Sequence, residues 1–131
     1  MSNRDEYAAN RFQKGVPDFP VKDCPAALRY YLDVLGFRKD FDDAVLGFDH
    51  TMFCGVSRGE CALTLNEHGH EERSPSGMSC NVDDVDLLHD EYRARGVQVT
   101  QPPKDMPWGQ RSVHFVDPDG NSLVFAASIK K

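Results

Sequence analysis

The sequence predicts an α+β domain built from two βαβββ modules. They form a curved mixed sheet with its helices outside and a concave ligand cleft. Three observations predict it. The segments "VKDCPAALRYYLDVLGF" (21–37) and "VDDVDLLHDEYRARGV" (82–97) share one grammar: an aspartate, a helical run with an aromatic on its apolar face, and a closing glycine. Asp23 matches Asp84 and Tyr31 matches Tyr92, sixty-one residues further on. The segments "VSRGECALTL" (56–65) and "VDPDGNSLVF" (116–125) overlay at sixty residues, pairing Val56 with Val116, Leu63 with Leu123, Leu65 with Phe125 and Thr64 with Val124. Finally, the polar, turn-rich stretch "NEHGHEERSPSG" (66–77) separates the two copies and reads as an exposed linker.

Taken in order, the first module reads as strand 15–21, helix 24–35 and strands 37–42, 46–56 and 60–67. The second reads as strand 77–82, helix 84–95 and strands 97–101, 108–116 and 121–127. Asp23 and Asp84 are placed to cap the first N–H groups of their helices, and Pro25 suits a first helical turn. Gly36 and Gly96 close the helices in the left-handed conformation. "DPDG" (117–120) reads as a type I turn with Gly120 left-handed, joining the last two strands. Residues 1–14 form an extension, 15–127 one domain with modules at about 15–67 and 77–127, 68–76 the linker and 128–131 a tail.

A chain of 131 residues suits one domain with a modest core. A net charge of −6 disfavours nucleic acid and anionic membrane surfaces as partners, since both select a basic face. The first fifteen residues lack the apolar run of a signal peptide, and no stretch is long enough to span a bilayer. Cys24, Cys54, Cys61 and Cys80 make no C-x-x-C pair, which argues against a zinc ribbon or a dithiol redox site. They read as reduced, mostly buried thiols of a cytoplasmic protein, with Cys54 and Cys61 able to face each other across a hairpin.

The duplicated modules, "VKDCPAALRYYLDVLGF" near the start and "WGQRSVHFVDPDGNSLVF" near the end resemble the vicinal-oxygen-chelate superfamily. That superfamily includes glyoxalase I, extradiol dioxygenases, fosfomycin-modifying enzymes and bleomycin resistance proteins. The resemblance covers about residues 15–127. Its enzymes hold a divalent metal through His, Glu or Gln on the first and last strand of each module. Transferred to this chain, those four positions fall on Val16, Thr64, Gly77 and Val124. Such side chains do not make a metal site, because divalent cations need oxygen or imidazole donors and only Thr64 offers one, a neutral hydroxyl that is a poor lone ligand. A shift of two residues along each strand keeps the face and brings in a single strong donor, Asp18.

Strand residues two apart share a face. If the family positions face the cleft, so do Asp18, Ala62, Asn66, Ser79, Asn81, Ser122 and Ala126, with Phe48, Phe53 and Trp108 as candidate walls. His50 and His114, each read on the third strand of its module, are candidate hydrogen-bond donors to a ligand, whereas His68 and His70 fall in the linker. The ligand-binding set is therefore Trp108, His114, His50, Phe48, Thr64, Asn66 and Asp18, with no catalytic and no metal-binding residue and no cofactor.

The resemblance is closest in kind to bleomycin resistance proteins. It implies a metal-free homodimer whose interface clefts sequester a cationic glycopeptide by stacking and acidic surface. The leading expectation is a binding protein for a neutral or cationic, partly aromatic small molecule. A second reading is a metal-dependent lyase, isomerase or dioxygenase with a non-standard site using His50 or His114. A third is a structural or regulatory homodimer with a vestigial cleft.

Overall fold

The computed structural model describes residues 9–129. Part of the predicted 1–14 extension and the last two residues of the tail lie outside them. The elements run β1 (Asp18–Pro20), α1 (Cys24–Asp33), β2 (Arg38–Asp42), β3 (Phe53–Arg58), β4 (Cys61–Asn66), β5 (Gly77–Asn81), α2 (Val85–Ala94), β6 (Gln98–Asp105), β7 (Gln110–Val116) and β8 (Ser122–Ser128). Both βαβββ modules are present. Each folds its strands into a four-stranded mixed sheet, in the orders β1-β4-β3-β2 and β5-β8-β7-β6. The first strand of each module pairs in parallel with its last; the other pairings are antiparallel. The internal repeat is visible in the register: Asp18 faces Thr64 as Ser79 faces Val124.

The caps fall where the repeat placed them. The Asp23 carboxylate accepts from the Ala26 N–H at 3.0 Å and the Asp84 carboxylate from the Leu87 N–H at 3.0 Å. Gly36, Gly96 and Gly120 take positive φ, as helix ends and a strand turn require. Cys54, Val56, Leu63 and Leu65 of the first sheet and Val113, Phe115, Leu123 and Phe125 of the second turn toward one continuous core, shared with Tyr31, Leu35 and Tyr92 from the helical segments.

Hydrogen bonds between the modules run on this helix side. The two repeat-related tyrosines both reach across. Tyr31 donates to Asp117 at 2.8 Å, and Tyr92 donates to the Leu35 carbonyl at 2.7 Å. Arg58, the last residue of β3, forms a two-pronged pair with Glu91 on α2. Asn121 is fully buried and joins three segments. It accepts from the Ser76 N–H and donates to the Pro20 carbonyl and to Asp117. The sequence marked these tyrosines as packing aromatics and "DPDGN" as a turn; their polar atoms also tie the modules together.

Several boundaries differ from the sequence expectation. The strand expected at 46–56 begins only at Phe53. A short 3-10 turn (Ala44–Leu46) and a loop replace its first half, because Gly47 takes φ 77° and Asp42 and Asp43 bind the Ala44 and Met52 N–H groups. The apolar alternation there is misleading, since Val45 is 92% exposed. Phe48 and His50 therefore sit on this loop, and His50 is not on the third strand. Val16 precedes β1 rather than lying in it. The last strand continues to Ser128, into the residues expected to form a tail. All four thiols are free. Cys54 faces Cys24, with their sulfurs 3.7 Å apart, and not Cys61.

Candidate functional site

Each sheet turns one face to the core and leaves the other open. On the open face of the first module, β1 and β4 place Asp18, Thr64 and Asn66 side by side. The Thr64 hydroxyl donates to one Asp18 oxygen at 2.5 Å, and the Asn66 amide donates to the other at 3.1 Å. Arg73 comes out of the linker and completes the set, with one guanidinium nitrogen 2.8 Å from the carboxylate and another 3.0 Å from the Asp18 carbonyl. Partial burial pushes the Asp18 carboxyl up, but hydrogen bonds from Thr64, Asn66 and Arg73 outweigh it and hold the group below its ordinary value. Asp18 is thus ionised and neutralised at neutral pH. The linker was expected to be merely solvated; Arg73 instead docks on the site.

Next to this polar patch lies an aromatic platform that sequence reasoning half missed. The Phe41 ring rests over the bare backbone of Gly55, whose Cβ position it fills. It packs against Phe53 with centroids 5.6 Å apart, and is itself 46% exposed. The available signal was Gly55: a glycine inside a strand marks a close approach to the backbone.

Phe48 and His50 lie on the loop before β3. The Phe48 ring meets the His68 ring edge-on at 5.4 Å. His50 is engaged rather than free, its Nε2 bonded to the Glu67 carboxylate. That bond raises the imidazole pKa above its ordinary value. Glu67 also accepts from the Cys24 N–H, and His70 Nδ1 meets the Glu67 carbonyl at 2.9 Å. His50 and Glu67 therefore pin the loop to the end of β4.

The second module's open face is centred on His114. It faces Val124 on β8 and Gln101 on β6 in the sheet register. Gln101 donates to the Ser112 hydroxyl, and Ser79 lies beside Val124. Trp108 occupies the β6–β7 turn, where Gly109 takes φ 88°. Its indole is 69% exposed, so packing within its own hairpin does not explain it.

The structure thus assembles Asp18, Thr64 and Asn66 into one network, while Phe48 and His50 sit on the loop that contacts His68 and Glu67, with no hydrogen bond to that network. His114 and Trp108 belong to the other module. Among the described residues, none of the hydrogen bonds links one open face to the other. Cavities of about 510 Å³ and 290 Å³ lie at the seam between modules, and neither is lined by Thr64, His114, Val124 or Trp108. Each open face is a half-wall rather than an enclosed pocket.

The residues at the family's metal positions do not fit a metal. Val16 lies outside the strand, Gly77 has no side chain, and Val124 is aliphatic. The Thr64 hydroxyl is committed to Asp18, and Asp18 to Arg73. No group of three or more His, Cys, Asp or Glu among the described residues is arranged to hold a metal ion.

The family model for the Glyoxalase/Bleomycin resistance protein/Dioxygenase superfamily matches residues 12–125. No curated protein matches by sequence. Three solved structures share the fold at 28–31% sequence identity. One is a member of that superfamily from Sphaerobacter thermophilus, 31% identical, covering 88% of this chain and 98% of its own, with a TM-score of 0.71. Another is the bleomycin-binding protein of Streptomyces verticillus in complex with copper(II)-bleomycin, 31% identical over 92% of this chain and 98% of its own, at 0.68. The third is TnmS3, an antibiotic binding protein from Streptomyces sp. CB03234, 28% identical over 91% of this chain and 99% of its own, at 0.71. With the repeat, the paired sheets and the family model in agreement, the chain belongs to the Glyoxalase/Bleomycin resistance protein/Dioxygenase superfamily.

Proposed function

We propose that this protein binds and sequesters a small planar molecule, neutral or cationic, without chemistry. The observation that carries this is the content of the open faces. Where a metal enzyme needs donors, they present Thr64, Gly77 and Val124, with exposed Phe41 packed on half-buried Phe53 in one module and exposed Trp108 in the other. Aromatic faces bind planar ligands at low entropic cost, and Trp adds an N–H donor. The net charge of −6 favours a cation over an anion. Two similar structures that bind antibiotics support the same class of ligand. Asp18, Thr64, Asn66, His114, Phe48 and His50 supply the polar and edge contacts.

The working form is a homodimer in the cytoplasm. Exposed Phe41, Phe48 and Trp108 on unjoined half-walls favour a second copy that brings face to face what one chain keeps apart. Light scattering should then report twice the 14.7 kDa of the chain.

Metal-free bleomycin, a cationic molecule with a planar aromatic part, serves as the first probe within a wider panel of planar cations. Binding to the folded state should raise the melting temperature with probe concentration. Gly55→Ala drives the Phe41 ring off the strand. It should cost about 1 kcal/mol of stability, since the ring can swing to solvent. The affinity of any stabilising probe should fall about tenfold. Unchanged affinity in that variant, or stoichiometric Zn, Ni, Mn or Fe in the purified protein, would overturn the reading.

A further inference from the structure

Away from both open faces, the seam between the modules gathers sulfur. Cys61 begins β4, and its Sγ lies 3.6 Å from Sδ of Met78 on β5. Cys80, two residues along β5 and on the same face as Met78, lines the same two cavities as Cys61. All three side chains are half-buried against the common core. Cys61 and Cys80 line both seam cavities, and Met78 lines the smaller one. An ion can therefore reach the cluster without opening the fold.

We propose that Cys61, Met78 and Cys80 form a three-sulfur site for Cu(I) that clasps the two modules together. Two thiolates and a thioether are soft donors, a set that selects Cu(I) over hard cations. Metal–sulfur bonds of about 2.3 Å place three sulfurs of a planar trigonal site about 4.0 Å apart. The 3.6 Å separation needs to widen by only a few tenths of an ångström.

Binding transfers no electron. One Cu(I) displaces the two thiol protons to solvent, and the resulting complex carries one net negative charge. Lys14 lines the smaller cavity close enough for its charge to favour the Cys61 thiolate, and it offsets that charge. Burial pushes the Cys61 thiol up to about 12, with the neighbouring Cys80 adding to the effect, so a metal has to displace its proton and affinity rises with pH. Cys24 and Cys54 form the natural control. Their sulfurs are also close, but both residues are fully buried and neither lines a seam cavity.

The test is an anaerobic titration of the reduced full-length chain with Cu(I), supplied as its acetonitrile complex, against a chromogenic Cu(I) chelator. One Cu(I) per chain should be held against the chelator, with near-ultraviolet thiolate-to-copper absorption. Cys61→Ser and Cys80→Ser should lose the metal to the chelator, Met78→Leu should weaken binding about tenfold, and Cys24→Ala should leave it unchanged. Met78→Leu conserves volume, so it folds even if a cysteine variant does not. Complete transfer of copper to the chelator by the parent chain overturns the site, as does undiminished binding in Met78→Leu or a loss confined to Cys24→Ala. Because no open-face residue takes part, this outcome is independent of whether a planar ligand binds.

Discussion

Asn121→Ala should lower the stability of the folded chain by about 3–5 kcal/mol, the largest effect expected of a polar substitution here. The side chain is fully buried, and its amide makes three bonds that end on three segments. It accepts from the Ser76 N–H at 2.9 Å and donates to the Pro20 carbonyl at 3.0 Å and to Asp117 at 3.1 Å. Alanine would take these partners from the Ser76 N–H and the Pro20 carbonyl and remove one of the donors to Asp117, which keeps Tyr31, and each orphaned group costs about 1–3 kcal/mol. For a domain with a total stability of about 5–15 kcal/mol, that is a large fraction. A melting temperature lower by about 10–15 °C, with a parallel fall in the urea midpoint, is the expected readout. A loss under about 1 kcal/mol would mean that Asn121 does not hold the modules together.

Tyr31→Phe should cost about 2 kcal/mol at neutral pH, and the cost should depend on pH in one direction. Burial raises the Asp117 carboxyl above its ordinary value, opposed by hydrogen bonds from Tyr31, Asn121 and Asp119. A raised carboxyl means that the folded chain holds a proton the unfolded chain has already lost. Stability therefore falls as pH climbs from the ordinary carboxylate value through the folded one. Removing the Tyr31 donor lifts the folded pKa further and widens that window. The gap between variant and parent should be smaller at pH 4 than at pH 8, because it grows as Asp117 loses its proton. Urea unfolding at the two pH values measures it; a gap that is constant, or larger in acid, would contradict the role given to Tyr31.

These two residues show how far the sequence could be read. Asp23 and Asp84, Gly36 and Gly96, and the "DPDG" turn announced local backbone needs, and the structure meets each in place. Local chemistry is visible locally. That Tyr31 and Tyr92 end in polar groups crossing between modules was not visible, because helical periodicity reports only the face on which a ring lies. Loop 47–52 misled for a related reason. Its alternation resembles a strand, and only the left-handed Gly47 and the two aspartates before it betray a turn.

At the candidate site, Asp18, Thr64 and Asn66 were legible through strand parity and the repeat. Arg73 was not, since its distance of fifty-five residues from Asp18 is bridged only by the folded linker. Phe41 escaped because the bulge between Lys39 and Phe41 breaks the simple two-residue alternation.

The central claim is that the open faces hold a planar small molecule by stacking. Trp108 is the chain's only tryptophan and is 69% exposed, so its emission reports on that surface alone. Titration with metal-free bleomycin and a panel of planar cations should give, for at least one of them, a saturable quench and blue shift of Trp108 emission. Phe41→Ala should weaken it about tenfold. Emission that stays that of a water-exposed indole with every member of the panel, while the chain remains folded, would contradict the account.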